Sequence, residues 1–220
     1  MEILKVSNVC YTYTSKYQKI EAVKKVSCNF EKGKMYAIVG RSGSGKSTLL
    51  SLLAGLDLPT AGEIYINREK ISEINRDKYR RDVASVIYQS FNLFPLLTTL
   101  ENVMYPMELQ GMSKKRAREK AKRYILEVDL GEKAFKQFPT MMSGGEQQRV
   151  AVARALAMGG KILLADEPTG NLDTANSQVV VDILKKLAHE KNYAVIVITH
   201  DKSVAEQADV VYTMSDGFLS

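Results

Sequence analysis

The sequence predicts an α/β fold: a mostly parallel central sheet, an antiparallel strand region at the N-terminus and an inserted helical subdomain over about residues 90–158. Three observations predict it. Met35 to Val39 is a short apolar run suited to a buried strand; it passes through Gly40-Arg41-Ser42-Gly43-Ser44-Gly45-Lys46-Ser47-Thr48 into a helix pattern, Thr48 to Leu56, with Leu49, Leu50, Leu52 and Leu53 on one face. Toward the C-terminus, apolar runs at Ile162 to Ala165, Ala194 to Thr199 and Val210 to Met214 read as strands. A helix pattern with Val179, Val180, Ile183, Leu184 and Leu187 on one face separates the first two, the alternation a parallel sheet demands. Between Phe91 and about Met158 strand signals are scarce, and Ser113 to Val128 and Glu146 to Met158 read as helices.

The remaining elements follow in order. Residues 2–30 alternate loosely between apolar and polar, with Val6, Val9, Tyr11, Tyr13, Val23, Val26 and Phe30, which predicts short antiparallel strands flanking the glycine-rich loop. Gly55 ends the first helix, Pro59-Thr60-Ala61-Gly62 makes a turn, and Glu63 to Asn67 and Val83 to Tyr88 are further strands. No repeat, low-complexity tract or long linker interrupts the 220 residues, so residues 1–220 form a single domain, with 1–89 and 159–220 as its core.

Bulk properties narrow the function classes. No window of about 18 uncharged apolar residues exists, and Met1-Glu2-Ile3-Leu4-Lys5 lacks the basic-then-apolar design of a signal peptide, so a cytoplasmic location is expected. Cys10 and Cys28 are too few and too unpatterned for a metal site or disulfide framework and read as small hydrophobes in an N-terminal strand. The net charge of +6 would suit nucleic acid or an anionic membrane, but much of it comes from Lys114, Lys115, Arg116, Arg118, Lys120, Lys122 and Arg123, which read first as the wet face of one helix.

The loop Gly40 to Thr48 satisfies all four fixed positions of GxxxxGK[ST] and has the strand before it and the helix after it that the motif requires. Its glycines let successive N–H groups point inward, and the following helix adds its partial positive charge where phosphate oxygens would lie. Lys46 is placed to reach β- and γ-phosphates, and the Ser47 hydroxyl is a hard oxygen ligand for Mg²⁺. Far downstream, Lys161-Ile162-Leu163-Leu164-Ala165 ends in two carboxylates, Asp166 and Glu167. A strand of a parallel sheet delivers its last residue to the edge where the phosphate loop opens. Asp166 can join Ser47 around Mg²⁺ there, and Glu167 can polarise a water for in-line attack on a γ-phosphate.

Met141-Met142-Ser143-Gly144-Gly145-Glu146-Gln147-Gln148-Arg149 is the second sharp motif. Ser143 is a good N-cap, Glu146 completes a capping box, and the two glycines leave the helix N-terminus bare as a further anion site. Phosphate loop, Ser143 to Gln147, Asp166-Glu167 and the later His200, in this order, resemble the nucleotide-binding subunit of an ABC transporter over essentially the whole chain.

The resemblance implies a P-loop ATPase core with ATP and Mg²⁺ as ligands. It implies that Tyr13 stacks on adenine, with Tyr11 two residues away as the competing aromatic; that Gln89 approaches Mg²⁺ and the attacking water; and that His200 contacts the γ-phosphate. Asn171-Leu172-Asp173 resembles the loop that communicates between two ATP sites, whereas His189, among Lys185, Lys186 and Glu190, reads as a solvated surface residue. Met142 stands where the family usually has leucine, a volume-conserving change. Within the family, Asp166 to Asp173 and the short length look most like ATPases of lipoprotein release, macrolide efflux and antimicrobial-peptide resistance.

The resemblance further implies a separate membrane permease, a peripheral position on the inner membrane face, and a head-to-tail homodimer in which Ser143, Gly144, Gly145 and Glu146 of one copy complete the other copy's site. Nucleic acid is not the expected partner, because the chain has neither a long heptad insertion nor a second ATPase domain; work on nucleic acid or on envelope and division machinery is the alternative. The run Phe91, Leu93, Phe94, Leu96, Leu97 to Met107 is expected to meet the permease, or else to form the core of the helical subdomain.

Overall fold

The computed structural model describes residues 2–220. Two long strands, β1 (Glu2–Thr14) and β2 (Lys19–Glu31), form an antiparallel hairpin that β4 (Ala61–Ile66) and the short β5 (Glu69–Lys70) extend in the order β2-β1-β4-β5. The expected short strands are thus two of 13 residues each, kept together across several register irregularities by apolar partners such as Val9 opposite Val26. The second sheet contains β3 (Lys34–Val39), β6 (Ala84–Ile87), β7 (Ile162–Asp166), β8 (Ala194–Thr199), β9 (Val210–Ser215) and β10 (Phe218–Leu219) in the order β10-β9-β3-β8-β7-β6. Among the described residues only the β9–β10 pair in it is antiparallel.

Helices cover both faces of this sheet. They are α1 (Lys46–Leu53), α2 (Arg76–Asp82), α3 (Thr99–Leu109), α4 (Lys114–Glu127), α5 (Gly144–Ala157), α6 (Thr174–His189) and α7 (Lys202–Ala205). Between β6 and β7 the chain forms no strand, only α3, α4, two 3-10 turns and α5. Helix α1 begins two residues before the expected Thr48, because Gly45 at φ 106° ends the loop directly at Lys46.

The period of two along each strand divides the interior. Met35, Leu163, Ala165, Val195 and Val197 face a core shared with α3 to α6, while Tyr36, Ile38, Ile162, Leu164, Ala194, Ile196 and Ile198 face a core shared with α1 and the antiparallel sheet. Leu49, Leu52 and Leu53 of α1 are buried in the second core, each worth about 1.5–3 kcal/mol of apolar transfer. This packing fixes α1, and with it the loop that precedes it. Cys28 is buried in the same core and Cys10 is half-buried; both are free thiols.

Two expectations divide in the structure. Of the apolar run after Gln89, Leu100, Val103, Met104 and Met107 are buried in the first core, while Phe94, Leu96 and Tyr105 are exposed. The core reading thus holds for the inward face of α3, while Phe94 and Leu96 before the helix and Tyr105 on it stay exposed. His189 is exposed as expected, yet its Nε2 lies 2.9 Å from Asp209 Oδ2. Met142 packs in the first core with Thr99 Oγ1 donating toward its Sδ at 3.2 Å.

Candidate active site

Parallel strands end on one edge of a sheet, and the loops that leave them meet there. Gly40 to Thr48 follow β3, Gln89 follows β6, Asp166 ends β7 with Glu167 directly after it, and His200 follows β8. Gln89, Asp166, Glu167, His200 and most of the Gly40 to Thr48 loop line one cleft of about 860 Å³, which Tyr13, Ile20, Ala22 and Ile198 complete.

The phosphate loop is held by close backbone approach. A Cβ on Gly45 would collide with the Ala22 carbonyl, and one on Gly40 with the Met214 carbonyl, so no side chain fits at either position. The turn between β9 and β10 braces the loop from behind: Gly217 N–H donates to the Ser44 carbonyl at 3.0 Å, and the Gly217 carbonyl accepts from Lys24 N–H at 2.8 Å. The Ser44 hydroxyl is buried and has no hydrogen-bond partner among the described residues; Ser44 does not line the cleft but a second cavity of about 360 Å³ shared with Met214 to Asp216. Lys46 is buried, and its ammonium donates to the carbonyls of Gly40 (2.9 Å) and Arg41 (3.0 Å). An ammonium has three N–H donors, so a third remains for an anion in the cleft.

On the opposite wall, burial pushes the Asp166 carboxyl above its ordinary range and the neighbouring Glu167 adds to this, while Ser47 and Lys46 pull it down. A cation at Asp166 and Ser47 would relieve that penalty. Glu167 adopts φ 47°, an uncommon conformation for a non-glycine residue, which Ile198 holds by accepting its N–H at 2.9 Å. Its Oε2 lies 2.9 Å from His200 Nδ1 and 3.4 Å from the His200 backbone nitrogen, so carboxylate and imidazole form one unit. Gln89 is tied to the loop after β7: Asn171 Nδ2 donates to the Gln89 carbonyl at 3.0 Å, and Gln89 Nε2 to Asn171 Oδ1 at 3.4 Å. Tyr13 is the aromatic in the cleft, its hydroxyl 3.1 Å from Thr48 Oγ1; Tyr11 packs edge-on behind it at 4.9 Å, partly buried against the second core.

Among the described residues no group of three or more His, Cys, Asp or Glu could form a metal site by itself. The oxygens available at the cleft, from Ser47, Asp166 and Gln89, suit Mg²⁺, which keeps several ligands from phosphates and water. The residues present therefore fit the Mg²⁺ expected from sequence.

Ser143, Gly144, Gly145, Glu146 and Asp173 lie outside the cleft. Ser143 and Glu146 form the expected capping box, with Ser143 N–H donating to Glu146 Oε2 at 2.8 Å and Glu146 N–H to Ser143 Oγ at 3.3 Å, which holds the Glu146 carboxyl below its ordinary range. Asp173 caps α6, accepting from Asn176 N–H at 2.8 Å, and Gly145 lies against the Asn176 side chain. Gly144 in turn lies near Leu172 and Phe91. The start of α5, the Asn171 to Asp173 loop and the segment after Gln89 are thus packed on one another.

Sequence reasoning missed Arg154. From α5 its guanidinium donates to the carbonyls of Phe91 (3.0 Å) and Asn92 (2.6 Å), two residues with φ of 59° and 50°, and so pins the segment that follows Gln89. The available signal was a cation inside the apolar run Val150 to Leu156. Ile20 and the Gly217 turn carried no local signal, since both matter only through distant partners.

Residues 23–170 match the family described as ABC transporter. The chain belongs to the ABC transporter family. It is 42% identical over 98% of its length to MJ0796, an ABC transporter ATP-binding protein of Methanocaldococcus jannaschii, covering 94% of that protein. It is 41% identical to the lipoprotein-releasing system ATP-binding protein LolD of Saccharophagus degradans, over 99% of this chain and 96% of the relative. The dimeric structure of the MJ0796 cassette superposes with a TM-score of 0.90 at 40% identity, over 99% of this chain and 97% of that one; a post-hydrolysis dimer of the same cassette bound to ADP and Pi gives the same values. The chain is an ABC transporter ATP-binding subunit with an α/β ATPase fold. No described helix is long and apolar enough to cross a membrane.

Proposed function

We propose that the subunit binds ATP between two copies of itself and drives a separate membrane permease, from a peripheral position on the inner face of the membrane. The convergence of Lys46, Ser47, Gln89, Asp166, Glu167 and His200 on one cleft, with the Ser143 to Glu146 motif outside it, carries this reading. A bare helix N-terminus with its own capping box has no phosphate to meet within its own subunit. A second copy turned head to tail supplies one, and the dimeric form of the similar cassette supports that arrangement.

In this mechanism the loop N–H groups and Lys46 grip the β- and γ-phosphates, and Tyr13 stacks on the base. Glu167 accepts the proton of a water as its oxygen forms the bond to the γ-phosphorus and the bond from that phosphorus to the β–γ bridging oxygen breaks, so that ADP leaves with the bridging oxygen and inorganic phosphate is formed; His200, 2.9 Å from Glu167, orients that carboxylate and reaches the γ-phosphate. Ser47, Asp166 and Gln89 would hold Mg²⁺, which when bound neutralises charge on the phosphate oxygens. Gln89 registers the phosphate end of the cleft, and Arg154 ties the segment behind it to α5, so occupancy is passed to the helical subdomain over about residues 90–158. The likeness to LolD supports work of the extraction, export or resistance type, on a lipoprotein, peptide or drug.

The shared site is tested by mixing two inactive variants. Lys46→Ala lacks the phosphate grip and Ser143→Arg blocks the opposite half, so a mixed dimer carries one intact site and one doubly damaged site. Mixing is expected to restore partial ATPase activity; silence in mixed dimers demonstrated by differential tagging would speak against sharing. The permease contact is placed on exposed Phe94, Leu96 and Tyr105, where Phe94 and Tyr105 stack edge to face at 4.8 Å. Changing Phe94 and Leu96 to serine should leave ATP binding intact and weaken co-purification with the permease at least about tenfold, as loss of central interface anchors does. Undiminished co-purification would move the interface elsewhere.

A further inference from the structure

One marked feature of the chain takes no part in ATP chemistry. Helix α4 carries seven Lys and Arg residues against Glu119 and Glu127, so 14 residues hold most of the chain's +6 charge. Its inner stripe, Ala117, Ala121 and Ile125, is buried in the core shared with α3 and α5. Both carboxylates are already engaged: Glu119 pairs with Lys122 at 3.1 Å and Glu127 with Lys191 at 2.9 Å. Lys114, Lys115, Arg116, Arg118, Lys120 and Arg123 are exposed and form no ion pair among the described residues.

We propose that the outer face of α4 binds the anionic headgroup surface of a phospholipid membrane. Four to eight cations grouped on an amphipathic helix match a plane of lipid phosphates, to which each adds an attraction that is screened by salt. Two aliphatic side chains are exposed close to these cations in the chain, Leu126 on α4 itself and Leu109 at the end of the preceding α3, 47% and 62% exposed. Such side chains enter the boundary between headgroups and acyl chains. A nucleic-acid surface would call instead for exposed aromatic rings on which bases stack, and the one aromatic residue of α4, Tyr124, is partly buried against the core. Membrane contact through α4 would hold the ATPase at a fixed height and tilt, alongside the permease contact but independent of it.

The test uses the full chain without any permease, so that its outcome is separable from that of the proposed permease interface. Co-sedimentation is measured with vesicles of equimolar phosphatidylglycerol and phosphatidylcholine and with vesicles of phosphatidylcholine alone. Binding to the anionic vesicles is expected to be at least about tenfold tighter and to weaken as salt rises. Lys115→Glu, Arg118→Glu and Arg123→Glu together should abolish that preference while ATPase activity stays at the parent level; if reversal unfolds the helix, the neutral set Lys115→Gln, Arg118→Gln and Arg123→Gln should still lower it severalfold. Equal affinity for both vesicle types, or a preference that survives a folded variant, would overturn the proposal. So would α4-dependent binding to an RNA oligonucleotide tighter than to the anionic vesicles.

Discussion

Glu167→Gln is expected to leave ATP binding intact and to lower turnover by about 10²- to 10⁴-fold, the usual share of a positioned general base. The amide keeps the shape of the carboxylate and can stay beside His200, now 2.9 Å from Glu167 Oε2, and the backbone bond to Ile198 that holds φ at 47° is untouched. Only the capacity to take a proton is lost. With binding preserved and hydrolysis blocked, the variant should accumulate as an ATP-bound dimer, visible as a doubled mass on size exclusion when ATP is present and as a monomer when it is not. Steady-state ATPase measurements decide the matter: turnover at the parent rate removes Glu167 as the base and leaves His200 as the next group in the cleft to examine.

Lys46→Ala should act one step earlier, on binding itself. A hydrogen bond to a charged group is worth about 1.5–3 kcal/mol, so the nucleotide affinity should fall by roughly 10- to 150-fold, read by calorimetry. The same substitution takes the donor from the Gly40 and Arg41 carbonyls, now bonded at 2.9 and 3.0 Å, so thermal unfolding of the free protein separates loop damage from lost phosphate contact. A variant that melts with the parent but binds ATP weakly supports direct contact. Unchanged affinity would take Lys46 out of the site. The two substitutions thus divide the reaction, with Lys46→Ala failing to bind and Glu167→Gln failing to turn over what it binds.

Much of this site was legible because its parts are local. The GxxxxGK[ST] loop, the apolar strand ending in Asp166-Glu167 and the Ser143 to Glu146 capping box each carry their meaning within about ten residues, and a parallel sheet gathers strand ends at one edge by geometry alone. The helices that went unread show the limit of that approach. Helix α2 has a single buried residue, Tyr79, whose hydroxyl donates to the Leu53 carbonyl at 2.7 Å, so Arg76 to Asp82 has no apolar period to read. Helix α3 contains Pro106 and follows an apolar loop, which blurs the spacing of Leu100, Val103 and Met107.

What the sequence by itself determined is the class of protein: a nucleotide-binding α/β ATPase, with the glycine-rich loop and the two adjacent carboxylates on which the proposed phosphate grip and general base rest. What only the tertiary structure decided is which residue stands where more than one could. Tyr13 rather than Tyr11 reaches the cleft because β1 turns it toward Thr48, 35 positions away in sequence. Arg154 pins Phe91 and Asn92 across more than 60 positions, and Gly217 backs the phosphate loop from the far end of the chain. Periodicity and motifs are written in neighbouring residues, whereas these contacts depend on which distant backbone segments the packed core brings together.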